Sequence, residues 1–101
     1  MHPHIAKIPE HELIYNLLRV FFPTARIILY GSRARGDNTE RSDIDIAIDA
    51  GEKQPLRVMG RARDVLNEGL NVPEKIDLID FHRVSETLRQ QVIQDGIEWT
   101  K

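Results

Sequence analysis

Three stretches of the chain carry apolar residues at strand spacing, and three more repeat them at helical spacing. Leu13, Ile14, Leu17, Leu18 and Phe21 recur as one face of a helix. Pro9 suits a first helical position, Glu10 suits the positive end of the helix dipole, and Pro23 ends the pattern. Arg26 to Tyr30 reads R-I-I-L-Y, a short strand that stops at Gly31. The segment from Gly31 to Ser42 is polar and rich in arginine. A short helix beginning just after Ser32 competes there with the turn chemistry of Gly36, Asp37 and Asn38.

From Asp43 to Ile48 the alternation is strict. Ile44, Ile46 and Ile48 share one face, and Asp43, Asp45 and Ala47 the other. Pro55 to Glu68 predicts a second long helix with the apolar stripe Leu56, Met59, Ala62, Val65 and Leu66. Gly60 weakens its interior, and Gly69 reads as its cap. Lys75 to Phe81 is a third strand. Val84 to Asp95 is a last helix with Ser85 as N-cap and Gly96 as stop, and Ile97-Glu98-Trp99 can add a short edge strand. The pattern predicts an α/β (α+β) fold: a small mixed three-stranded sheet, with that fourth edge strand as an option, packed against three main helices.

The length of 101 residues fits one domain, residues 1–101, and a composition 41% hydrophobic and 30% charged supports a modest core. With 14 basic and 16 acidic residues the net charge is -2, so nothing draws the whole chain to nucleic acid or membrane. Any anion site must be local. The absence of cysteine excludes disulfides and thiolate metal sites. The beginning of the sequence lacks a secretory pattern and no apolar run is long enough to span a bilayer, so a cytoplasmic location is expected.

The chemistry lies in three short segments. Asp43 and Asp45 are two apart on a strand, so their carboxylates share a face, repel, and raise each other's pKa. A hard divalent cation would relieve that repulsion; so would plain exposure of an acidic strand to solvent. Asp77, in K-I-D-L-I-D, again interrupts an apolar strand. Should its strand lie beside the second, Asp77 can converge on the same face, and three carboxylates could hold two metals about 4 Å apart. Asp80 has the opposite parity and Asp49 lies at the far end of its strand, so both read as surface or loop residues. Gly31-Ser32 follows a strand directly. Glycine permits positive φ and close approach, and serine with nearby amides can bond a phosphate oxygen; an ordinary turn has the same composition. No G-K-[ST], G-x-G-x-x-G, EF-hand loop or H-E-x-x-H occurs. His2, His4, His11 and His82 lack ligand spacing and read as exposed.

Gly31-Ser32 and Asp43-x-Asp45, within G-S-R-A-R-G…S-D-I-D-I-A-I, resemble the signature of DNA polymerase β-type nucleotidyltransferases, and the wording is similar to that of the minimal nucleotidyltransferases (MNT). The likeness covers nearly the whole chain and implies a nucleotidyltransferase-like fold. It implies that Gly31 and Ser32 bind the triphosphate of ATP, and that Asp43, Asp45 and Asp77 are the catalytic and metal residues for magnesium, two ions being expected. Asp77 would also act as base on the acceptor hydroxyl. Arg33 and Arg35 could steady phosphates or face a protein partner. Many MNT proteins accompany a HEPN-domain RNase toxin in toxin–antitoxin pairs. The resemblance therefore implies transfer of AMP to a toxin tyrosine by an antitoxin, in a homo- or hetero-oligomer. A length without room for a further substrate domain fits completion of the site by such a partner. The alternatives are an antitoxin that acts by binding alone and a nucleotidyltransferase for small molecules.

Overall fold

The computed structural model describes residues 10–99. The expected helix start at Pro9, and His2 and His4, lie outside them. In chain order the elements are α1 (His11–Phe21), β1 (Arg26–Tyr30), α2 (Ser32–Arg35), β2 (Ile44–Asp49), α3 (Leu56–Asp64) running into a π-helical turn (Val65–Gly69), β3 (Ile76–Asp80), α4 (Glu86–Asp95) and β4 (Ile97–Trp99). The edge strand at Ile97–Trp99 is formed. The sheet therefore has four strands, in the order β3-β2-β1-β4. β1 runs antiparallel to both β2 and β4, while β2 and β3 are parallel. A parallel neighbour requires a crossover connection, and α3 provides it.

Period two sorts the strands onto two unlike faces. Ile27, Leu29, Ile44, Ile46, Ile48, Ile76, Leu78 and Trp99 meet Ile14 and Leu18 of α1 and Met59 and Ala62 of α3 in the main core, and Leu66 of the π-helical turn joins them. Each isoleucine, leucine or methionine among them contributes about 1.5–3 kcal/mol when fully buried. The other face carries a smaller cluster of Ile28, Tyr30, Ala47 and Val92, the last from α4. One helix covers only part of a four-stranded sheet. Polar side chains can stand on the remainder of that face in contact with solvent.

Helix ends follow local chemistry. Arg19 donates to the carbonyls of Phe22, Pro23 and Ala25, which closes the end of α1. Ser85 accepts from the Leu88 amide as expected of an N-cap. Gly69 is not the left-handed cap that its position suggested. The helix widens into a π-helical turn ending at Gly69, and the left-handed residue is Asn71, at φ 54°. Gly96 ends α4 with an extended φ of -66°. Its lack of a side chain serves close packing, since a Cβ would lie 2.6 Å from Cγ2 of Ile28. Among the described residues no helix is long and apolar enough to cross a membrane.

Candidate active site

β1 is anchored on both faces and delivers the chain to Gly31, which takes φ 76° and ψ -157°, a conformation open essentially to glycine alone. The chain then makes a single helical turn. The amides of Ala34 and Arg35 donate to the Gly31 carbonyl, and the side chain of Ala34 is buried beneath. Gly36, left-handed at φ 87°, closes the turn with its amide on the Ser32 carbonyl at 2.8 Å. The short helix and the turn chemistry that compete in the sequence are thus both used. The first amides of such a turn have no helical acceptor, and half-buried Ser32 stands at its start.

Beside this turn the register sets up a row. Tyr30 pairs with Asp45 across the antiparallel β1–β2 ladder, and Asp45 pairs with Asp77 across the parallel β2–β3 ladder. Directly paired residues share a face, so these three side chains stand in line on the face shared with α4, one strand spacing of about 4.8 Å apart. Asp43 precedes β2 by one residue on the same side and is exposed. The backbone there is held by the Ile44 amide on the Lys75 carbonyl at 2.9 Å. Burial, then the charges of Asp77 and Asp43, push the Asp45 carboxyl up to about 6, against partial relief from Arg35 and Arg33. Burial, with Asp45 and Asp77 behind it, raises the Tyr30 phenol far above its usual range, so it keeps its proton.

The three expected acids therefore share a face but do not converge on one point. Among the described residues no three carboxylate or imidazole groups are close enough to form a ready-made metal cluster. The donor set still fits a hard divalent cation. All donors are oxygens, and the Asp45 carboxyl, raised first by burial and then by Asp77 and Asp43, would be relieved by a cation beside it.

The two arginines of α2 serve the protein itself. Arg33 grips the Ser42 carbonyl through Nε at 3.2 Å and Nη2 at 2.9 Å, and also reaches the Glu40 carbonyl. It thereby fixes the loop that delivers Asp43. Arg35 pairs with Asp37 at 3.1 Å and with Asp95 of α4 at 3.0 Å.

Two acids and two histidines differ from expectation. Asp80 is buried, at 2% exposure, rather than on the surface. It accepts from the amides of Gln54 at 2.7 Å and His82 at 3.0 Å, and Arg83 lies 3.7 Å away. Asp49 accepts from the Gly51 amide and meets His82 Nε2 at 2.6 Å, so His82 is half-buried rather than exposed. In both acids the carboxylate bonds the amide two residues on, a turn habit of aspartate that D-A-G and D-F-H offer in the sequence. His11 is also partly covered, its ring 4.2 Å from that of Trp99. Sequence reasoning passed over Asn67 and Tyr30. Asn67 brackets the start of β3, accepting from the Ile76 amide at 2.8 Å and donating to the Ile76 carbonyl at 2.9 Å. Nothing in the sequence signals that role. Tyr30 could have been found, since it abuts Gly31 at the end of a strand.

The profile of the family described as "Polymerase beta, Nucleotidyltransferase" matches residues 12–99. The chain is 27% identical over 84 residues to a protein of Haemophilus influenzae named "Probable protein adenylyltransferase MntA", covering 83% of this chain and 73% of that one. It resembles a solved toxin–antitoxin structure with AMP-PNP at TM-score 0.75 and 31% identity, over 93% of this chain and 75% of that one. A further neighbour, at TM-score 0.70 and 29% identity, covers 91% of this chain and 71% of its own. It comes from a structure of the tri-AMPylated HEPN toxin of Shewanella oneidensis in complex with MNT antitoxin.

Proposed function

The chain belongs to the polymerase β nucleotidyltransferase family, and on that premise we propose that it transfers AMP from ATP to a tyrosine hydroxyl of a HEPN-domain toxin and so neutralises it. The observation that carries this reading is the pairing of Asp45 with Asp77 on one open face beside the Gly31 turn. A triphosphate held by the amides at Ser32 and Arg33 would lie against Asp45. An acceptor would approach from the Asp77 side of the sheet. The acceptor oxygen forms a bond to the α-phosphorus, the bond from that phosphorus to the bridging oxygen of pyrophosphate breaks, and Asp77 takes the hydroxyl proton. In-line placement of the two reactants supplies most of the rate, since such transfer asks little covalent chemistry of the protein.

Asp43, Asp45 and Asp77 would hold magnesium, which supplies neutralisation of charge on the phosphate oxygens. Its relief of the Asp45 repulsion accords with the donor set. We place the reaction in the cytoplasm, where ATP is at hand, within a complex of this chain and its toxin.

Labelled ATP, magnesium and a HEPN toxin partner test the reading. Label on the toxin from the unaltered chain, and none from the Asp43→Asn, Asp45→Asn double variant, supports it. Neutralisation that survives the double substitution would mean that binding alone silences the toxin. Label that appears only on an added small molecule would move the substrate class.

A further inference from the structure

A neutral hydroxyl stands at the nucleotide end of the acidic row. Tyr30 is paired in register with Asp45, on the flank opposite Asp77, and is the residue immediately before Gly31. Its ring is packed with Ala47 and Val92 and only 5% of the residue is exposed, so the hydroxyl is held in one place. That oxygen has no hydrogen-bond partner among the described residues. A fixed hydroxyl donor, without a partner among the described residues and paired with Asp45, suits an anion that carboxylates alone would repel.

Building on the nucleotidyl-transfer reading, we propose that Tyr30 contacts the nucleotide, its O–H donating to a phosphate oxygen of ATP bound between the Gly31 turn and Asp45. The acceptor side of the row belongs to Asp77, two strands away, so Tyr30 acts on the nucleotide and not on the acceptor.

Tyr30→Phe removes the hydroxyl and leaves the ring that packs. With calorimetry of magnesium–ATP binding to the complete chain, the loss of one hydrogen bond to a charged group is expected to weaken affinity about tenfold. Melting temperature without nucleotide should stay within about 2 °C of the parent, and turnover at saturating ATP should fall far less than the rise in KM. Ile28→Val, in the same cluster but two residues further along β1, should bind ATP as the parent does. Equal affinity of the parent and Tyr30→Phe overturns the assignment, as does an equal loss in Ile28→Val, which would point to packing. If the parent binds ATP and Tyr30→Phe binds it about tenfold more weakly, yet no protein acquires AMP, Tyr30 keeps its role and the transfer reading fails. If the parent does not bind ATP, both fall together.

Discussion

The carboxylate of Asp45 occupies the space that a side chain on Gly31 would need. A Cβ built on Gly31 would collide with Oδ2 of Asp45 and lie 3.2 Å from its Cγ. The turn and the acid are therefore fitted to each other. On the proposed reading, the strand end brings amides toward a phosphate only where no side chain pushes Asp45 aside.

Gly31→Ala should disable the site and strain the backbone at once. The φ of 76° and ψ of -157° cost a non-glycine residue about 1–3 kcal/mol, and Asp45 must also move. Transfer of label should fall at least about tenfold, since displacement of a reacting group by an ångström is costly in rate. Gly36→Ala is the control. It too has positive φ, but a Cβ there meets nothing within 4 Å. It should lose about 1 kcal/mol on thermal or urea unfolding while leaving Asp45 in place and activity largely intact. Equal loss of activity in both variants would show that the contact with Asp45 is immaterial.

Metal-free stability should depend on pH through Asp45. In an unfolded chain this carboxyl titrates near about 3.9, and in the fold it is pushed up to about 6 by burial, Asp77 and Asp43. The folded protein thus holds this proton more tightly than the unfolded chain. The associated stability is fully present below about pH 4 and is lost as pH rises through about 6. Asp45→Asn carries no charge at any pH. In chelator at pH 7 it should be more stable than the parent by about 1 kcal/mol, after allowance for solvent screening of a half-exposed group. The difference should close by pH 4. Melting curves across that range check both the sign and the window. A variant less stable than its parent at pH 7 would contradict the repulsion.

Much of this site can be read in the sequence because strands impose a period of two. That rule put Asp43 and Asp45 together and gave Asp77 a face. It could not say which strand lies beside which. Adjacency of Asp45 and Asp77 depends on the parallel crossover through α3, a tertiary choice. Asp80 shows the limit of the same rule. Parity rightly set it apart from Asp77, but its burial comes from backbone amides of Gln54 and His82, one of them 26 residues away. The π-helical turn was hidden for a related reason. One helical stripe runs through Val65 and Leu66, and the widening is seen only with Asn67 bonded across to Ile76.

Asn67 should matter to stability and activity together. Its side chain satisfies both backbone groups of Ile76, the residue before Asp77, on a strand that lies at the edge of the sheet among the described residues. Asn67→Ala strands a half-buried amide and carbonyl, which costs about 1–3 kcal/mol. Asn67→Asp keeps the acceptor for the Ile76 amide but sets a negative charge toward the carbonyls of Ile76 and Arg63. It should be no better than alanine at pH 7 and should recover in part as the carboxyl is protonated. Urea unfolding of the two variants at pH 7 and pH 4 measures the difference. Two variants as stable as the parent at both pH values would show that the bracket adds nothing.

Arg33 offers the sharpest separation between holding a loop and touching a substrate. Its guanidinium spends Nε and Nη2 on the Ser42 carbonyl, directly before Asp43, and lies in reach of Glu40. A lysine at this position keeps the charge but cannot make a forked contact with one carbonyl. If Arg33 works by holding the loop, Arg33→Lys should behave like Arg33→Ala. Both would lower label transfer about three- to tenfold, with a stability loss of about 0.5–1.5 kcal/mol for the lost bonds. Addition of magnesium should restore part of the activity, because a bound cation helps to order Asp43. If Arg33 instead neutralises phosphate charge, lysine should retain most of the activity that alanine loses, and the KM for ATP rather than turnover should carry the effect. Steady-state kinetics of the two variants at several magnesium concentrations decide between them, and the geometry favours the loop.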